Sequence, residues 1–153
     1  MVRKFILILT LFVFVSAFQF ALEPVIINKD INKYPLVQYL ELLEDKEGIL
    51  TLDNIRSPEY SGAFYKSTSK MINLGFSRSV YWVKFKIESS LEKEQLLLLE
   101  MAYPHIDNVK TYVLWDNKDT EYFERGDEFP FNKNEISYQN FIIKLLVDPE
   151  SSA

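Results

Sequence analysis

The sequence predicts an all-β fold, an antiparallel β-sandwich, and three observations carry that prediction. Six or seven short apolar runs are separated by turn-forming residues, scarcely any segment keeps a helical period for the length of a helix, and aromatic residues make up 15% of the chain against only 4 glycines. With 153 residues, 48% hydrophobic and 25% charged, the composition is that of one globular domain with a packed core.

The N-terminus has the form of an export signal. Arg3 and Lys4 supply a positive start, and Phe5–Phe18 follows without a charge. Ala17 and Ala21 offer two ends for a cleaved peptide, so residues 1–21 are expected to be a signal helix and 22–153 the folded domain. The uncharged run is at the lower limit of a spanning helix, which keeps an uncleaved signal anchor open as the alternative. The chain has no cysteine, so neither a lipid-modified thiol nor a disulfide is available, and the core alone must stabilise the exported domain. Without Arg3 and Lys4, 15 basic residues face 22 acidic ones, a net charge of −7. Such a surface repels nucleic acid and anionic headgroups.

Taken in order, Pro24–Asn28 (PVIIN) suits an edge strand that begins after proline. Leu36–Leu43 is ambiguous between helical spacing and alternation, and reads as a short strand. Asp45–Gly48 is a charged turn, Ile49–Leu52 a brief extended approach, and Asp53–Arg56 a helical turn that ends before Pro58. Ser57–Lys70 is a polar surface excursion anchored by Tyr60, Phe64 and Tyr65. The chain is organised around Asn73–Ile87 (NLGFSRSVYWVKFKI), a turn followed by an alternating strand with Tyr81, Val83, Phe85 and Ile87 on one side and Trp82, Lys84 and Lys86 on the other. Gln95–Ala102 (QLLLLEMA) reads as a strand interior to the sandwich, because four consecutive leucines call for cover on both faces. Val109–Trp115 is a strand with Val109, Val113 and Trp115 on one face and Tyr112 and Leu114 on the other. Asp116–Asp119 closes a hairpin onto Glu121–Glu124, which ends at Gly126, and Phe129–Asn134 is a loop. Tyr138–Val147 is a final, strongly apolar strand.

No catalytic constellation emerges. There is no thiol nucleophile, no serine elbow and no glycine-rich phosphate cradle, and the single histidine, His105, is flanked by Pro104 and Ile106. One histidine without cysteine makes a zinc site poor, so no metal or other cofactor is expected. Asp116, Asp119 and Glu121 are better read as a solvated acidic turn than as a calcium loop, and Arg125-Gly126-Asp127 as a turn than as an adhesion tripeptide. A carboxylate pair of a small glycosidase stays open, although nothing selects one pair.

Asn73–Ile87, followed by Pro104-His105-Ile106-Asp107-Asn108-Val109-Lys110-Thr111-Tyr112, then by Arg125-Gly126-Asp127 and Pro130-Phe131, resembles the type 2 extracellular sensor domain of bacterial seven-transmembrane receptors with diverse intracellular signalling modules. The likeness runs from about Tyr39 to Val147. It implies a jelly-roll-like sandwich behind a signal sequence, located in the periplasm or cell envelope, that binds a ligand without catalysis and acts with a membrane signalling protein. Where the family usually has asparagine in the turn after the central strand, this chain has Ser89-Ser90. The family also continues with further strands after one like Tyr138–Val147, so the domain is expected to lack its last strand or strands. An open sheet edge at FIIKLLV would then invite pairing with a second copy or with a membrane protein.

The candidate ligand residues are Trp82, Arg78, Tyr103 and Tyr112. Trp82 is a large ring on a lysine-bearing face, suited to stacking on a sugar, and the competing reading is a ring covered by the Ser57–Lys70 excursion. Arg78 can fork onto a carboxylate or hydroxyls, or simply hold its turn. Tyr103 and Tyr112 can offer hydroxyls to a pocket, or bury their rings with a wet tip. The expected ligand is a carbohydrate or a related small molecule. The alternative is an envelope module that serves structure or protein interaction and has no small-molecule site.

Overall fold

The computed structural model describes residues 22–67, 72, 74–75, 77–102, 106–126 and 140–153. The expected signal helix at 1–21, the loop at 129–134 and the candidate Tyr103 lie outside the described residues. The regular structure of the described residues is mostly strand with few helical turns, as expected for an all-β sandwich, and its strand pairs are antiparallel except for one parallel pair.

Strand β1 (Pro24–Ile27) starts on a proline, where no ladder donor is lost, and buries Val25 and Ile27. The ambiguous stretch that follows divides in two. Val37–Tyr39 forms a single 3-10 turn, and the strand proper, β2, is Glu41–Asp45. Helix α1 (Leu52–Arg56) is fixed at its start by a reciprocal cap, in which Thr51 Oγ1 accepts the Asn54 N–H and Asn54 Oδ1 accepts the Thr51 N–H. It stops at Ser57, and Pro58 opens the one-turn α2 (Pro58–Ser61), since proline suits a first helical position and cannot continue a preceding helix. The excursion then returns as β3 (Tyr65–Lys66) on the edge of β2.

The organising stretch forms two strands. β4 (Val80–Lys84) pairs antiparallel with β2, and after Phe85 the chain changes sheets, so that β5 (Lys86–Ser89) runs parallel to β1. This break overturns a single alternation over the whole stretch. Ile87 is buried as expected, but Val83 is 45% exposed, while Leu43, directly opposite Trp82, is buried. Neither face of β4 is uniformly inward: Leu42, opposite the exposed Val83, is buried as well, and Val80 on the Trp82 face is 47% exposed, while Trp82 itself is half-buried.

Strand β6 (Gln95–Met101) pairs along its length with β9 (Phe141–Val147), and β7 (Val109–Val113) forms a hairpin with β8 (Glu121–Arg125). The core gathers Val25 and Ile27 of β1, Ile87, Leu91, Val113, Trp115, and Ile143, Leu145 and Val147 of β9. The leucine run is not doubly covered. Leu97 and Leu99 pack against the core, whereas Leu96 and Leu98 are 53% and 54% exposed. The β6–β9 pair meets the core with one face only, and among the described residues its other face, with Leu96, Leu98 and Leu146, stays exposed.

Residues after β9 add to the sandwich. A turn with Glu150 in the left-handed region (φ 52°) brings Ser151, Ser152 and Ala153 alongside β5. Ile87 N–H donates to Ala153 O (2.7 Å), Ala153 N–H to Ile87 O (3.1 Å) and Ser89 N–H to Ser151 O (2.8 Å). Among the described residues no helix is long and apolar enough to cross a membrane.

Candidate functional site

The hairpin register sets the site. Tyr112 stands directly opposite Tyr122, and Thr111 opposite Phe123. Alternation therefore sends Phe123 and Val113 to the core and both tyrosines to the other face. There the two rings lie 5.0 Å apart, tilted by 40°. From β4, Trp82 stacks on Tyr112 with centroids 6.3 Å apart and planes 23° from parallel. Trp82, Tyr112 and Tyr122 thus form a graded row: the first two rings are half-buried and Tyr122 is 49% exposed.

The polar surroundings of the row are held firmly. On the Trp82 face of β2, the Asp45 carboxylate is buried and accepts the N–H groups of Gly48 (2.8 Å), Ile49 (3.3 Å) and Leu50 (2.9 Å). Burial opposes its ionisation, but these amides, led by that of Leu50, outweigh it and hold the carboxyl below its ordinary value. The Trp82 indole adds a smaller stabilisation to the same charge. Even so, Nε1 meets no acceptor in hydrogen-bonding geometry, and it is a buried donor without a partner among the described residues. Next along that face, Lys84 is fixed by Glu41 (3.1 Å) and by the Phe64 ring, 4.0 Å from its Nζ. The excursion thus covers Lys84 through Phe64. On the hairpin, the Tyr122 hydroxyl is pushed above its ordinary value by desolvation and by the neighbouring Glu124 and Tyr112.

Two of the predicted site residues, Trp82 and Tyr112, are brought into contact. Arg78 is exposed on the approach to β4, and among the described residues it has neither a hydrogen bond nor an ion pair. Tyr122 was missed, although the expected hairpin at 116–119 places it opposite Tyr112 once the turn is centred on Asn117. Of Arg125-Gly126-Asp127, Arg125 ends β8 and donates Nη1 to Glu124 O (2.9 Å), Gly126 lies against the Asp107 backbone, and Asp127 lies outside the described residues. No group of three His, Asp or Glu among the described residues could hold a metal ion.

The hairpin thus presents an aromatic row on the face opposite its core-facing side chains, with Tyr122 open to solvent. The family model described as 7TMR-DISM extracellular 2 matches residues 37–153, and the chain belongs to that family. It is accordingly an extracellular domain of the sensor type found on seven-transmembrane receptors. No curated protein and no solved structure matches it.

Proposed function

We propose that this domain is a non-catalytic, extracytoplasmic sensor that binds a carbohydrate or a related small molecule at the Trp82–Tyr112–Tyr122 row. The observation that carries the reading is the placement of the row on the hairpin face opposite the core, which leaves half of Tyr122 available to a ligand. Pyranose C–H faces pack well on such rings. Arg78, exposed on the loop that enters β4, contributes a fork of donors. Tyr103 is proposed as a further hydroxyl donor. The test is a fluorescence titration with a panel of soluble oligosaccharides. Binding should perturb Trp82 emission, and Trp82→Phe should remove that response while buried Trp115 continues to report the fold. A panel that leaves the emission unchanged throughout counts against the carbohydrate.

A second reading, an envelope module for protein interaction, is favoured by one observation: the exposed Leu96, Leu98 and Leu146 form an apolar face on the β6–β9 pair.

A further inference from the structure

We infer that the aromatic row and the seat of residues 151–153 are mechanically coupled, because the same two runs of chain carry both. One run is β4 continuing through Phe85 into β5; it gives Trp82 to the row, and Ile87 and Ser89 to the 151–153 segment. The other is β7 continuing through Trp115 to Asp116; it gives Tyr112 to the row and Asp116 to the segment. The segment is wedged between the two runs. On one side it makes the three backbone bonds to β5. On the other, Asp116 N–H donates to Ser152 O (3.1 Å), while the Asp116 carboxylate accepts both the Ser152 N–H (3.1 Å) and its hydroxyl (3.0 Å).

The two runs are therefore tied at two points, by ring contact at the row and by the wedge beyond it. At strand rise the ties are separated by about 17 Å along the first run and about 13 Å along the second. Neither run can absorb a displacement by slipping, since Phe85 packs against the core and Trp115 is buried in it. Close-packed interiors transmit strain. A ligand that changes the spacing of Trp82 and Tyr112 therefore changes the width of the slot holding Ser151–Ala153. By linkage, loosening the segment must alter the row to the same degree. The functional meaning of this link rests on the proposed reading of the row as the ligand site; the link itself does not.

The test uses no ligand: residue-resolved amide hydrogen exchange on the purified full chain, with the β9 amides as reporters of global opening. Tyr112→Leu should speed exchange at Ile87, Ser89 and Ala153 by about 5-fold relative to β9, the low end of typical coupling between sites. Ser152→Ala, a milder change that keeps the backbone bonds, should speed exchange at Tyr81, Trp82 and Val83 relative to β9. Unchanged ratios to β9 in either variant would overturn the coupling. Because no ligand takes part, that failure is distinct from a failure of the row to bind sugar.

Discussion

Trp115 and Glu121 are joined across the β7–β8 turn by a 2.7 Å hydrogen bond from the indole Nε1–H to the carboxylate, while Lys118 lies 4.1 Å over the same indole. Lys118 also donates to Leu146 O (2.7 Å) and approaches Asp148 (3.4 Å), so the hairpin turn is fastened to the end of β9. Glu121→Ala should cost about 1–3 kcal/mol, because it removes the partner of a buried donor. Glu121→Gln, which keeps an acceptor, should cost less. Trp115→Ala should cost about 3–5 kcal/mol. Urea unfolding of the three variants checks the order.

Asp45 makes stability depend on acid. Its folded pKa lies below the ordinary 3.8, so the unfolded chain takes up the proton first. The contribution is whole above pH 3.8 and is lost as the pH falls through the lower folded value. Urea unfolding carried from neutral pH down through the carboxylate range should show this loss, and Asp45→Asn should remove this part of the acid dependence at a cost in stability near neutrality.

Gly126 has φ 156°, and a Cβ there would collide with the carbonyl oxygen of Asp107. Because the obstacle is backbone, Gly126→Ala should destabilise by about 1–3 kcal/mol, whereas Gly62→Ala, which meets open space, should be nearly neutral. Thermal melts of the two variants decide it.

Much of this architecture was legible in the chain. Pro24, the Asp116–Asp119 turn and the apolar FIIKLLV run mark β1, the hairpin and β9 because each has a local cause, a ring, a turn or a continuous apolar run. What stayed hidden depends on which strands become neighbours. Four leucines look alike whether one face of β6 is covered or both, and only the packing of the β6–β9 pair shows that Leu96 and Leu98 face outward. Likewise, Tyr81 to Ile87 alternates cleanly, yet the chain changes sheets at Phe85, and Val83 is left exposed while Trp82 is half-buried. The site was half visible for the same reason: Trp82 and Tyr112 are separated in sequence and meet only through sheet packing. The bonds of Ser151–Ala153 to β5 follow from no local pattern, since nothing in a polar Ser-Ser-Ala run marks it as a strand.

The exposed face of β6 gives a prediction for solution behaviour. Leu98→Gln should leave the melt within about 0.5 kcal/mol of wild type, as expected for an outward-facing position. If this face mediates association, the same change should shift the chain to smaller species in size exclusion. Elution independent of concentration for both proteins would instead remove support for the protein-interaction reading.

The central claim is that the aromatic row binds a ligand and is not merely packing, and Tyr122 tests it most directly because half of its surface is open. The measurement is calorimetric titration of an oligosaccharide panel into wild type and Tyr122→Ala, with a thermal melt of each. We expect a saccharide that binds wild type to lose about 1–3 kcal/mol of affinity in the variant, the range for loss of a stacking ring, while the melting temperatures stay close. Equal affinity in the two proteins, or a variant that melts far lower while no saccharide binds wild type, would contradict the account.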